Sequence, residues 1–293
     1  MLEKSAPKII AHRGASYEYP EQTKAAYLAG IAKGADALEC DVRLTRDKQL
    51  VCVHDNELKR VTGLTGSIVD YTVAELKEFD FSKHEKPLQG KANPEFTKKT
   101  GITDSDISRI ITLAELIEIA DDADREVGII IETKDAAEPN NYVVEKALVE
   151  LFNEKGMVNA AGELDERVEL MSFMPDSVRF LHKQFPKTKV VQLIDSYDFE
   201  EFPPNIERNE ETKRKLIDSA LQLMQQLGHG GIGTRFSVDY KADVEKLAKE
   251  NVKFRCFTVN TEEQLKDLAK VGLEYFEYII TDRPDEIRRL LER

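Results

Sequence analysis

Short apolar runs alternate with helix-like segments along almost the whole of this 293-residue chain, and that alternation leaves few folds open. Runs separated by helical patterns build βα units on a parallel sheet. Strands are expected at about Lys8–Arg13, Ala37–Leu44, Gly128–Thr133, Arg167–Phe173, Lys189–Ile194, Gly231–Arg235, Lys253–Val259 and Tyr278–Thr281. Helices are expected at Glu21–Lys33, Leu113–Ala123, Asn141–Glu154, Pro175–Gln184, Glu211–Leu227, Val238–Glu250, Thr261–Val271 and Pro284–Leu291. That inventory suits a closed (β/α)8 barrel, with an open doubly wound sheet as the alternative.

One segment breaks the alternation. In LECDVRLTRDKQLVCVHD only Arg46–Gln49 separate two apolar runs, whereas a parallel crossover needs about a dozen residues. Leu50–His54 is therefore expected to fold back antiparallel on the second strand. A turn centred near Asp47–Lys48 sets His54 opposite Asp41, with Glu39 on the same face as Asp41 by the period of two. The same register puts Cys40 and Cys52 on opposite faces, which argues against a bridge between them. Residues 56–110 fit no βα unit and read as a small insertion, either a cap over the barrel mouth or a surface elaboration. Tyr197–Asn209 reads as an exposed polar loop.

Composition narrows the function. A net charge of −13 opposes a nucleic-acid partner or stable association with an anionic membrane, although a bound dication and a few basic groups can reverse the sign locally. No run of about eighteen apolar residues occurs. MLEKSAPK lacks the apolar stretch of a signal peptide, and three cysteines are too few for a disulfide scaffold. The expected compartment is the cytoplasm; oligomeric state is not legible.

The polar residues at the strand ends carry the chemistry. Glu39 and Asp41 lie in an otherwise apolar strand, where unpaired carboxylates are costly. They either pair with Arg13, Arg43 or Lys134, or hold a cation. Glu132 ends the apolar run GIIIET, and three carboxylates at one rim make an all-oxygen site suited to Mg²⁺ or Ca²⁺ rather than zinc. His12 ends the first strand, with Arg13 and Gly14 after it, and His54 comes with the hairpin. Arg13 as a fork and Lys134 as a point charge suit phosphate oxygens. Pro20-Glu21-Gln22-Thr23 reads as a helix start with Glu in the first turn, or else Glu21 holds Arg13 or His12. His84, His182 and His229 lie in an insert, on a helix and before a strand, and carry no expected role.

Taken together, HRG with a downstream PExT, ALECDVRLTRDKQLVCVHD, IETK, the pair Ser172-Phe173, FTVN and IITDRP closely resemble the glycerophosphodiester phosphodiesterases. The resemblance implies a (β/α)8 TIM barrel with a small insertion after its second strand. It implies metal-dependent hydrolysis of small-molecule glycerophosphodiesters to glycerol 3-phosphate and an alcohol. It also implies His12 and His54 as the acid–base pair, Glu39, Asp41 and Glu132 as metal ligands, and Arg13, Lys134 and Phe173 as substrate contacts. His12 is assigned the base and His54 the acid, an order the sequence does not set. Gln22 stands where the family usually has Asn, and Phe257 where it usually has Trp; both bear on substrate preference. The alternatives are a phosphodiesterase directed at lysophospholipids or phosphoinositide-like head groups, and a non-catalytic binding barrel.

Overall fold

In the computed structural model, the structure describes residues 6–83, 88–134, 141–194, 210–228, 230–235, 244 and 252–292. Among the described residues there are nine strands: β1 (Lys8–Ala11), β2 (Ala37–Leu44), β3 (Leu50–Cys52), β4 (Gly128–Thr133), β5 (Val168–Ser172), β6 (Val190–Ile194), β7 (Gly231–Arg235), β8 (Lys253–Phe257) and β9 (Phe276–Thr281). All but β3 are parallel and follow the order β1-β9-β8-β7-β6-β5-β4-β2. Pairing of β1 with β2 (Ile10 with Ala37, Ala11 with Leu38) closes the ring. The fold is a closed eight-stranded barrel, and the open sheet is excluded. Of the expected helices, Val238–Glu250 falls almost wholly outside the described residues, as do His84, His229 and the loop Tyr197–Asn209.

The period of two sorts each strand into an inner and an outer face. Outward residues such as Leu38, Cys40, Val42, Ile129 and Ile131 join the helices in one large apolar layer. Inward residues Ile10, Ala37, Ile130, Met171, Val191, Leu193, Tyr278 and Ile280 fill the barrel with a second, smaller core. Glu39 and Asp41 follow Ala37 on the inner face, and Glu132 follows Ile130. The N-terminal end of the barrel is plugged by Arg255 on β8, which is buried. Its guanidinium donates to both oxygens of Glu169 on β5 at 3.1 Å, pairs with Glu277 on β9 at 2.8 Å, and lies over the Tyr278 ring. Gly231 on β7 is a glycine for this reason, since a Cβ there would stand 1.5 Å from Arg255 Nη1.

The hairpin is present, but its register differs by one residue from the expectation. Val42 pairs with Cys52, Arg43 with Val51 and Leu44 with Leu50. Val53 therefore takes the place opposite Asp41, its N–H donating to the Asp41 carbonyl at 3.0 Å. Cys40 and Cys52 consequently share a face, contrary to expectation. Both are free and buried. The difference arises in the turn: Thr45 N donates to Gln49 O and Lys48 takes a positive φ of 58°, which places the centre of the loop half a residue earlier than the expected Asp47–Lys48 midpoint.

The described part of the segment between β3 and β4 is more ordered than its polarity implied. Helical turns occur at Lys59–Thr62, Val73–Leu76, Pro94–Thr100 and Asp104–Ser108. Val51, Val53, Leu58, Val61, Ile68, Leu76, Phe81 and Ile110 form a separate apolar cluster beneath part of it. It is tied to the loop after β1 by Gly90 N to Tyr17 O at 2.7 Å and Tyr19 Oη to Thr97 Oγ1 at 2.9 Å. Among the described residues, no helix is long and apolar enough to cross a membrane.

Candidate active site

At the C-terminal mouth of the barrel, β2 and β4 bring three carboxylates together. Asp41 pairs with Glu132 across the two strands, and Glu39 lies one inward position below Asp41. One oxygen from each of Glu39, Asp41 and Glu132 falls within 4.8 Å of the others, and all three residues are buried. Arg13 and Lys134 face the same spot. Arg13 Nε lies 3.0 Å from Asp41 Oδ2, and its backbone N–H donates to Glu39 Oε2 at 2.9 Å. Lys134 Nζ lies 3.2 Å from Asp41 Oδ1 and against Glu132 Oε1. The ion pairs weighed for Arg13 and Lys134 are thus present alongside a cluster able to hold a cation.

The donor set fits such a cation. Among the described residues, Asp41 Oδ1 and Glu132 Oε1 are buried without a hydrogen-bond partner, and the Lys134 ammonium lies beside both. With a dication keeping all three carboxylates ionised, the cluster together with Arg13 and Lys134 would sum to one positive charge, the complement of a phosphodiester anion. All donors are hard oxygens. Burial first, then the neighbouring Asp41 charge, pushes Glu39 well above the ordinary carboxylate range. Burial, opposed by Lys134, pushes Glu132 up to about 7. Burial acts upward on Asp41 as well, but Lys134 and Arg13 outweigh it and hold this carboxyl well below its usual value. The Lys134 ammonium, despite burial, is raised by Asp41 and Glu132.

His12 and His54 each rest on a carboxylate through Nδ1. His12 Nδ1 is 2.6 Å from Asp282 Oδ1, and His54 Nδ1 is 2.5 Å from Asp55 Oδ1. Asp282 is itself held by Ser16 Oγ at 2.9 Å and Asn260 Nδ2 at 2.5 Å. Such partners fix the tautomer and leave Nε2 available. Both imidazoles are close enough to Asp41 to act on its charge. His54 arrives here without the expected pairing: β3 stops at Cys52, and Arg43 Nε holds the His54 carbonyl at 2.7 Å. Burial, then the charge of Arg13, shifts His54 below its ordinary value. Asp282 is held low: burial raises it, but His12 and the hydrogen bonds outweigh that.

The turn after β1 explains the HRG segment. Arg13 has φ 56° and Gly14 φ 84°, and a Cβ on Gly14 would meet the Ala26 backbone at 2.4 Å. Close packing against helix Lys24–Ala32 follows, with Ala15 N donating to Ala26 O at 2.8 Å. The Pro-Glu-Gln-Thr stretch is not the first helical turn. Thr23 is the N-cap, its side chain accepting from Ala26 N, so Glu21 and Gln22 precede the helix and are released for the site. Glu21 Oε1 accepts from Arg13 Nη1 at 3.0 Å. Gln22, at φ 58°, grips Asp41 twice: Nε2 donates to Oδ2 at 2.9 Å and Oε1 accepts the Asp41 N–H at 3.0 Å.

Phe173 lies at the mouth with Lys134 Nζ 5.6 Å from its ring centre, and Phe257 meets it edge-on at 6.2 Å. The structure therefore gathers the expected carboxylates, the basic pair, both histidines and Phe173 into one region. Asp55, Asp282, Asn260, Ser16 and Arg60 join the site beyond the residues expected from the sequence. The sequence signals for them are the His54-Asp55 dipeptide and the TVN and TD motifs, whose Asn260 and Asp282 lie just beyond strands β8 and β9.

A (β/α)8 barrel with a polyacidic centre and two carboxylate-backed imidazoles at its C-terminal mouth defines a class of hydrolytic barrel. The sequence pattern of the Glycerophosphoryl diester phosphodiesterase family matches residues 12–286. The chain belongs to that family and is a phosphoric diester hydrolase. It is 29% identical over 290 residues to "Probable glycerophosphodiester phosphodiesterase 1" of Mycobacterium tuberculosis, covering 98% of this chain and 93% of that one. It is 28% identical over 296 residues to a glycerophosphodiester phosphodiesterase of Bacillus altitudinis, covering 97% and 98%. A phosphodiesterase of Oleispira antarctica, solved in complex with the product sn-glycerol-3-phosphate, shares the fold with a TM-score of 0.68 at 21% identity, covering 98% of each chain.

Proposed function

We propose that the centre hydrolyses glycerophosphodiesters to glycerol 3-phosphate and an alcohol, with one divalent cation, Mg²⁺ or Ca²⁺, held by Glu39, Asp41 and Glu132. The observation that carries this reading is the placing of two carboxylate-backed imidazoles around a buried three-carboxylate cluster. The relative crystallised with sn-glycerol-3-phosphate supports the substrate class. A cation held by these three carboxylates would supply charge neutralisation for the phosphate. Arg13 and Lys134 hold the remaining phosphate charge as it builds, and Phe173 shields that side from water.

One imidazole takes the proton from the attacking oxygen and the other gives a proton to the departing alkoxide; the attacker is water, or the glycerol 2-hydroxyl, whose attack gives a cyclic phosphate that water then opens to glycerol 3-phosphate. Asp282 and Asp55 keep each Nε2 directed at the reacting atoms. The downward shift of His54 comes partly from Arg13 and Lys134. A bound phosphate would offset those charges, so the acid–base order is a property of the complex. Free, buried thiols suit a reducing, cytoplasmic setting.

The test is release of glycerol 3-phosphate from a panel of glycerophosphodiesters by metal-stripped protein, with Mg²⁺ or Ca²⁺ restored separately and lysophosphatidylcholine as the lipid comparison. Turnover of a glycerophosphodiester only after metal is restored is expected. Full turnover in excess chelator removes the cation from the proposal, and no turnover of any member removes the substrate class.

A further inference from the structure

The helical turn Lys59–Thr62 belongs to the segment inserted after β3, yet one of its side chains reaches the centre of the mouth. Arg60 donates from Nη1 and Nη2 to the two oxygens of Glu21, at 2.9 and 2.8 Å, and from Nε to Asp55 Oδ2. Glu21 is the carboxylate that holds Arg13 Nη1, and Asp55 is the one that holds His54 Nδ1. A single planar fork thus touches the supports of both a phosphate-binding and a proton-transferring group. The turn that carries it is fixed from below by buried Leu58 and Val61. It is closed by Gly63 at φ 74°, whose N–H donates to Lys59 O at 2.9 Å.

We propose that Arg60 is a positioning residue for phosphodiester hydrolysis, and that through it the seating of the inserted segment sets the geometry of His54 and Arg13 together. The proposal rests on the function proposed above. Without the guanidinium, Asp55 keeps an unbalanced charge behind His54, and among the described residues Glu21 is left with Arg13 as its side-chain donor. Each support can then turn, and the two groups it aims turn with it. A lysine cannot substitute: its single ammonium cannot span two carboxylates in fixed directions as the fork does.

The test compares Arg60→Ala, Arg60→Lys and His54→Ala for turnover of a glycerophosphodiester with metal present, without and with millimolar guanidinium. The Arg60 side chain is 35% exposed, so a small cation can enter the space it leaves. Both Arg60 variants are expected to lose roughly 10- to 100-fold in kcat with a smaller change in KM, and guanidinium is expected to restore part of the Arg60→Ala rate. Wild-type kcat in Arg60→Lys, or failure of guanidinium to raise the Arg60→Ala rate, overturns the positioning role. The His54→Ala variant separates the two ideas: if it keeps wild-type turnover, the catalytic reading of His54 itself falls, whatever Arg60 does.

Discussion

The chemistry depends on the direction of a few side chains. His12 and His54 came out of the sequence as strand-end and hairpin residues, but their aim is decided by Asp282 and Asp55. Replacing either imidazole by Ala is expected to lower kcat by roughly 10²–10⁴ while thermal unfolding stays close to wild type; steady-state kinetics on correctly folded variants check this, and a near-native rate excludes that histidine. Asp282→Asn keeps the shape but loses the charge behind His12, and a fall of about 10- to 100-fold is expected. The sequence offered residue types and the period of two, which sufficed for Glu39, Asp41 and Glu132. It could not offer Asp282 as the partner of His12: 270 residues separate them, and only the β1–β9 pairing that closes the barrel makes them neighbours.

Elements differ in how much of their geometry is local. Boundaries of β2, β4 and β7, and of helices Pro175–Gln184 and Pro284–Leu291, agree with those read from apolar runs and Pro at the first turn. Register was not legible in the same way. A shift of half a residue in the β2–β3 turn moved Cys52 to the face of Cys40 and took His54 out of its expected pairing. Likewise, Pro20-Glu21 has the composition of a first helical turn, but Thr23 is the N-cap and Glu21 precedes the helix. The glycine of β7 makes the clearest element-scale prediction. Gly231→Ala drives a methyl into Arg255 Nη1, which cannot retreat without leaving Glu169 unpaired. Destabilisation of about 3 kcal/mol is expected. Because the plug lies at the end of the barrel away from the mouth, kcat of the folded fraction should hold. Chemical denaturation and kinetics measured together check both halves.

For the whole molecule, the same charges that serve the site shape the response to acid. Glu21 and Asp55 are held well below their ordinary values: burial acts upward on each, but Arg13 and Arg60 prevail at Glu21, and His54 and Arg60 at Asp55. A depressed folded-state value contributes stability that is complete above the unfolded value, about 4, and is lost as pH falls below it. Melting temperature is therefore expected to drop steeply on going from pH 5 to pH 3. Glu21→Gln should flatten that slope; an unchanged slope would show that the pair does not govern acid stability. Restoring Mg²⁺ or Ca²⁺ to stripped protein should raise the melting temperature, since a cation bound only by the folded centre favours that state by mass action. A metal-independent melting curve would count against the site.

By itself, the sequence determined the class of fold, the strands that carry acidic and basic groups, and the kinds of chemistry they can perform. These follow from periodicities and residue types that act over a few neighbours. Tertiary structure decided which carboxylate backs each histidine, how Gln22 grips Asp41, and that Arg60 reaches two supports from an inserted turn. Those contacts join residues brought close only by ring closure and by the seat of the insertion. A hydrogen bond is set by distances of a few tenths of an ångström, a precision that no local pattern in the chain encodes.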